Sequence, residues 1–187
     1  AKFFIKSLIF QLATLQGYDQ LKFIFLYDEE EETDWAFARW LPHSWNEDKS
    51  IRFICTNIKD VKEISLSIEK LIIQRKTSNS HGKEKIIPHY IIFSMSKGLE
   101  IRAEFIKSIL EENENLGFSI VSLYDEIRSL PKECSTVIEV TDTVAQIYDK
   151  DDITGKYIEF NMEIDRDSDY EKLAKELSNI NLNEEKN

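Results

Sequence analysis

Three near-continuous runs of β-forming residues constrain the chain most: Leu21 to Tyr27 (LKFIFLY), Pro88 to Met95 (PHYIIFSM) and Phe118 to Tyr124 (FSIVSLY). A strand without regular polar alternation is covered on both faces, as in a parallel sheet flanked by helices. The segments around these runs have helical period. Phe3 to Leu15 places Phe4, Leu8, Leu12 and Leu15 on one face, widened by Ile5 and Ile9, and Gly17 closes it. Asn57 is placed to cap a long helix with an inward stripe of Val61, Ile64, Ile68, Leu71 and Ile72. Leu99 to Glu112 is a third helix, with Ala103, Ile106 and Leu110 inward. Alternating strands and helices predict a three-layer α/β fold, a mainly parallel, Rossmann-like sheet with helices on both faces.

Shorter signals complete the organisation. Trp35 to Leu41 is expected as a short helix and Ile51 to Cys55 as a short strand. Ser135 to Thr141, Val144 to Tyr148 and Gly155 to Phe160 are joined by turns too short for helices, which predicts antiparallel hairpins at one sheet edge. Thr77 to Lys85, which holds His81, is expected as a mobile, solvated surface loop. Ser168 and Glu171 have the spacing of a capping box, opening a last helix to Ser178 with Tyr170, Leu173, Ala174 and Leu177 on one stripe. Beyond Asn179 the tail is expected to fray.

Composition excludes several classes. The chain has 187 residues, enough for one core, and its eleven Phe, seven Tyr and three Trp exclude a disordered polymer. No apolar run reaches the ~20 residues of a membrane helix, so a soluble fragment is expected. Residues 1–93 carry 13 Lys+Arg against 13 Asp+Glu, and residues 94–187 carry 11 against 22. No basic stripe for a nucleic-acid backbone is present, and nucleic acid is not expected as a partner. Cys55 and Cys134 match neither a metal nor a disulfide framework and are expected as reduced thiols. The opening at Ala1, already in helical pattern, points to a fragment of a longer protein.

An open α/β sheet binds ligands beyond the carboxyl ends of its strands. The first exit reads Asp28-Glu29-Glu30-Glu31-Glu32-Thr33-Asp34, which repels phosphates. Neither G-x-x-x-x-G-K-[ST] nor G-x-G-x-x-G occurs, and the second buried strand ends Ser94-Met95-Ser96 with no carboxylate for Mg²⁺. A phosphate loop before Ala1 would escape this test. G-x-S-x-G and H-E-x-x-H are missing, and His43, His81 and His89 stand in unrelated contexts. Asp165, Asp167 and Asp169 with Glu176 have part of a calcium-loop spacing, but Tyr170 occupies the position that needs glycine, so a helix start is the favoured reading. No catalytic residue, metal or cofactor is expected. All three tryptophans fall in Trp35 to Trp45 (WAFARWLPHSW), and clustered Trp and Arg fit a packed corner or a binding hot spot. Trp35, Arg39, Trp40 and Trp45, with Glu30 and Glu31 of the acidic loop, are the candidate partner interface.

The words Trp40-Leu41-Pro42-His43 with Trp45, Asp48 to Phe53 (DKSIRF), Pro88-His89-Tyr90, Leu130 to Cys134 (LPKEC), and Asp152 with Gly155-Lys156-Tyr157 resemble the juxtamembrane module of EssC-type ATPases. These are motors of Gram-positive type VII secretion, within the FtsK/SpoIIIE superfamily. The resemblance spans nearly the whole chain. It implies a degenerate ATPase-like domain over residues 1–165 and a helical lead over 166–187 toward a following motor module. It further implies a non-catalytic scaffold at the cytoplasmic face of the membrane, joining transmembrane helices to P-loop motors during protein export. Adjacent ATPase modules, other secretion components and further copies of the chain are the implied partners. A nucleotide-responsive or weakly active ATPase domain of the same motor is the alternative.

Overall fold

The computed structural model describes residues 1–79, 86–162, 166–180 and 182. His81, Asp165 and most of the tail after Asn179 lie outside the described residues. Four parallel strands, β1 (Leu21–Leu26), β2 (Ile54–Cys55), β3 (His89–Ser94) and β4 (Phe118–Ser122), form one sheet in the order β2-β1-β3-β4. Leu21 to Leu26 of β1 pair in register with His89 to Ser94 of β3, and β3 pairs in turn with β4, Ile92 opposite Ile120.

Side chains of β1 divide by parity between two cores, as the two-residue period of a strand requires. Leu21, Phe23, Phe25 and the following Tyr27 pack with Ile5, Ile9 and Ala13 of helix α1 (Lys2–Leu15) and with Trp35, Phe37 and Ala38. Ile24 and Leu26 pack on the other side with Val61, Ile64, Ile68 and Ile72 of α3 (Ile58–Asn79). Burial on both faces explains why LKFIFLY has no apolar-polar alternation. On α1 the fully buried stripe is Ile5, Ile9 and Ala13, while Leu15, expected inward, is exposed in the last turn. Asn57 does cap α3: its Oδ1 accepts the Asp60 amide at 3.0 Å. That helix continues through Thr77 and Ser78, where composition predicts the loop.

Two expected elements differ in detail. Leu99 to Glu112 is not one helix but a turn, α4 (Lys97–Glu100), and a helix, α5 (Glu104–Glu111). Ala103 between them is extended (φ −86°, ψ 101°) and wholly buried, so tertiary packing overrides a continuous helical pattern. The acidic loop is also more ordered than its composition implies. A 3₁₀ turn (Glu29–Glu31), a short helix α2 (Glu32–Trp35) and 3₁₀ turns at Ala36–Trp40 and Pro42–Ser44 carry the chain to β2.

β5 (Thr136–Val140), β6 (Val144–Asp149) and β7 (Ile158–Asn161) pair antiparallel in a sheet of their own, order β5-β6-β7, rather than extending the parallel one. Val137 and Ala145 are its buried residues, and Phe160 meets Phe4 of α1 with ring centroids 6.3 Å apart. The last helix, α6 (Tyr170–Ser178), is capped by Asp169, whose carboxylate accepts the Lys172 amide at 3.0 Å. The cap is thus one residue later than Ser168. Ala174 of α6 is wholly buried, and Tyr170 packs on Phe10 and Phe37 at 5.3 and 5.9 Å. Residues from α6 therefore close the same core as α1.

Candidate functional site

The connection leaving β1 crosses the α1 face to reach β2, whereas the connection leaving β3 crosses the α3 face to reach β4. The exits of β1 and β3 are therefore the topological switch point, where a doubly wound sheet opens its ligand crevice. Here that crevice is bridged by the chain itself. Ser96 Oγ donates to Asp28 Oδ1 at 2.6 Å, joining the two exits, and the same oxygen accepts the Leu99 amide to start α4.

Beside this bridge lies a buried polar network. Ser94 Oγ and Tyr124 Oη are 2.9 Å apart, Tyr124 donates to Glu100 Oε2, and Ser122 Oγ donates to Glu100 Oε1 at 2.9 Å. Lys97 Nζ adds an ion pair at 3.6 Å and lies 5.4 Å from the Tyr124 ring. Glu100 is only 4% exposed, and both of its oxygens are engaged. Burial first, and the hydrogen bond to Glu100 second, push the Tyr124 phenol well above its ordinary value, so it stays a donor at neutral pH. The strand sequence gives no sign of a carboxylate at this exit, because Glu100 arrives from α4. The two serines of Ser94-Met95-Ser96 were the available signal.

The carboxylates after β1 are largely engaged within the chain. Glu31 and Asp34 take Lys2 at 2.6 and 2.7 Å, Asp34 also takes Lys6 at 3.3 Å, and Glu32 accepts Tyr27 Oη at 2.8 Å and pairs with Arg39. Burial opposes ionisation of Asp34, yet the hydrogen bonds from Lys2 and Lys6 hold its carboxyl below the usual range. Glu29 and Glu30 are exposed, with no ion pair among the described residues. A cavity of about 480 Å³ at the β1 and β2 exits is lined by Tyr27, Glu29, Glu32, Arg39, Arg52 and Thr56. Arg39 pairs there with Glu32, although its Nε has no partner among the described residues. Among the described residues no group of three or more His, Cys, Asp and Glu is placed to hold a metal ion.

The structure divides the six candidate interface residues. Trp35 is 0% exposed and belongs to the core, with Lys6 Nζ 5.6 Å from its ring, so the folded domain withholds it from any partner. Trp45 is half-buried under Arg52, whose guanidinium lies 4.5 Å from the ring. Trp40 is 40% exposed, and Lys175 of α6 lies 4.9 Å from its ring. Arg39 is partly exposed beside it, and Glu30 and Glu31 sit one turn upstream of α2. Of the three tryptophans, Trp40 is the most exposed.

Comparison with known proteins bears on the origin of this arrangement. No family model matches the chain. The type VII secretion system protein EssC of Staphylococcus aureus strain NCTC 8325 is 27% identical over 184 residues, 94% of this chain. The ESX secretion system protein EccC of Geobacillus thermodenitrificans is 21% identical over 135 residues, 72% of this chain. The chain is homologous to the EssC/EccC type VII secretion ATPases. It spans about 12% of the length of EssC and 9% of EccC. A solved structure of EssC from Geobacillus thermodenitrificans, comprising its ATPases 2 and 3, superposes with a TM-score of 0.67 over 93% of this chain and 39% of that one. At 13% identity this likeness establishes the fold alone, an α/β domain. No helix among the described residues is long and apolar enough to cross a membrane.

Proposed function

We propose that the chain is a non-catalytic coupling domain of a membrane-anchored type VII secretion ATPase, connecting transmembrane helices to downstream motor modules at the cytoplasmic face of the membrane. The observation that carries this reading is the Ser96–Asp28 bridge across the switch point, 2.6 Å long, in a domain of ATPase fold. A nucleotide there would have to break that bond and approach the carboxylates that follow β1. In this reading residues 1–165 are the scaffold and 166–187 lead to the next module, with α6 seated on the Trp segment. Partner recognition, by a neighbouring module, another secretion component or a second copy, falls on the Trp40 and Arg39 edge with Trp45, Glu30 and Glu31 beside it.

Calorimetric titration with Mg-ATP tests the reading on this chain and on a version extended at its N-terminus. No saturable binding at micromolar nucleotide is expected from either. Binding by the extended version alone would favour the second reading, a nucleotide-responsive domain. The Arg39 and Arg52 guanidiniums lining the cavity at the β1 exit are the feature that speaks for it.

A further inference from the structure

β4 is the outer strand of the parallel sheet and β5 the outer strand of the antiparallel one, and both line the same groove of about 1390 Å³. Gly117 O and Leu123 N bond toward β3, so by the alternation of a strand the amides and carbonyls of Phe118, Ile120 and Ser122 point outward into the groove. On β5, Ser135 O and Thr141 N bond toward β6, which turns Thr136, Ile138 and Val140 outward. Among the described residues the outward backbone groups take one hydrogen bond, from the Cys134 thiol to Thr136 O.

The helical layers extend past the sheet edge. Phe4 and Leu8 of α1 line one side of the groove, and Ile72 of α3 with Ile109 and Leu110 of α5 line the other. The space between is a slot for one more strand, covered on both faces. Its volume exceeds the roughly 300 to 1,000 Å³ of ordinary small-molecule pockets. Ile127 and Ile138, both on its wall, are 48% and 41% exposed. The rim is predominantly acidic: Glu112, Glu114, Asp125, Glu126, Glu133 and Glu139 line it, with Glu112 paired to Lys76, Glu133 to Lys132 and Glu126 to Arg128, the one side-chain cation among the lining residues.

We propose that this groove is a strand-acceptor site for a partner's extended peptide segment of β-branched residues with lysine or arginine at its ends. Open edges supply backbone hydrogen bonds, the apolar walls take the side chains on both faces of the inserted strand, and the acidic rim selects the basic flanks. None of the residues lining this groove belongs to the Trp40 edge, and the proposal does not depend on that edge's role.

Amide hydrogen exchange by NMR, with a Lys-Val-Thr-Val-Thr-Val-Lys peptide and its Glu-flanked counterpart as probes, tests the proposal. In the free domain Ile120 and Ser122 should exchange faster than Ser119 and Val121, whose amides face β3. Saturating Lys-flanked peptide should slow Ile120, Ser122 or Ile138 selectively, and the Glu-flanked peptide should bind at least about tenfold more weakly. A triple charge reversal of the exposed rim, Asp125→Lys, Glu126→Lys and Glu133→Lys, should invert that preference while melting at a similar temperature. Absence of binding at millimolar peptide, equal affinity for both peptides, or protection elsewhere would overturn the proposal. So would protection of the outward amides by dimerisation of the free domain, which would assign the groove to a second copy.

Discussion

Lys175 Nζ of α6 lies 4.9 Å from the ring of Trp40, the last residue of the 3₁₀ segment Ala36–Trp40 and its single tryptophan. Around this pair the Trp cluster splits into a core residue and an exposed edge, and the two parts should respond differently to truncation. Trp35→Ala should destabilise the domain by about 3 to 5 kcal/mol, the cost of emptying a large core site. Trp40→Ala should leave melting nearly unchanged and instead weaken assembly with secretion partners by about 2 kcal/mol. Thermal melting and co-purification of the two variants check this, and equal destabilisation of both would return the whole segment to the core.

The Glu100 network should act as a unit. Glu100→Gln preserves shape but turns one acceptor into a donor facing Tyr124 or Ser122, and leaves Lys97 without its charge partner. A loss of about 1 to 3 kcal/mol is expected. Tyr124→Phe removes one bond to each of Glu100 and Ser94 and should cost a similar amount. In urea melts the double variant should lose less than the sum of the two single changes; strict additivity would show that the residues are energetically independent.

Gly117 and Arg75 share a tight corner. Gly117 has φ +83°, a left-handed conformation, and a Cβ there would stand 2.7 Å from Arg75 Nη1. Arg75 donates to Leu116 O at 2.8 Å and to Pro88 O at 2.6 Å, fastening α3 to the entries of β3 and β4. Gly117→Ala should therefore cost roughly 1 to 3 kcal/mol through backbone strain. Arg75→Met should cost a comparable amount by leaving two carbonyls unmatched. Denaturant midpoints of both variants near the unaltered value would contradict the geometry.

His43 provides the pH dependence. Its Nε2 bonds Gln16 O at 2.8 Å, which requires the proton on that nitrogen, and its ring stacks on Phe23 at 5.1 Å. Burial lowers its pKa below 6.5, and burial with the Arg75 charge does the same for His89. The unfolded chain thus takes up protons that the folded chain resists. Stability from these groups is complete above their unfolded pKa and is lost as pH falls through and below it. The melting temperature should drop between about pH 7 and pH 5. His43→Gln, whose amide can still donate to Gln16 O, should flatten that drop, and an unchanged profile would exclude His43 as its source.

The sheet was legible because its strands are buried on both sides, a condition that leaves a direct imprint on composition: LKFIFLY has no face to spare for polar residues. The long helix after Asn57 was legible for a similar reason, since its cap and its stripe from Val61 to Ile72 agree. The break at Ala103 was not, because every residue from Leu99 to Glu112 tolerates a helix and only the burial of Ala103 in the core shared with α3 separates the two pieces. Independence of the antiparallel sheet was likewise invisible, as local pairing signals give hairpins but not which sheet they join. The Trp segment showed its position but not its orientation. Glu100 has no local signal because its partners Ser122 and Tyr124, and Ser94 bonded to Tyr124, come from two strand exits brought together only in three dimensions.

Helices α1 and α6 share one face of the parallel sheet and meet through Phe10 and Tyr170, whose ring centroids are 5.3 Å apart, with Phe37 packed against both. Tension applied between the first and last helices would therefore be carried by three aromatic rings on one side of the domain. The parallel hydrogen-bond ladder, lying a layer beneath, would remain unloaded. Peeling α6 from Phe37 and Trp40 would come first under such a pull, lengthening the tether while the four-stranded sheet stays folded.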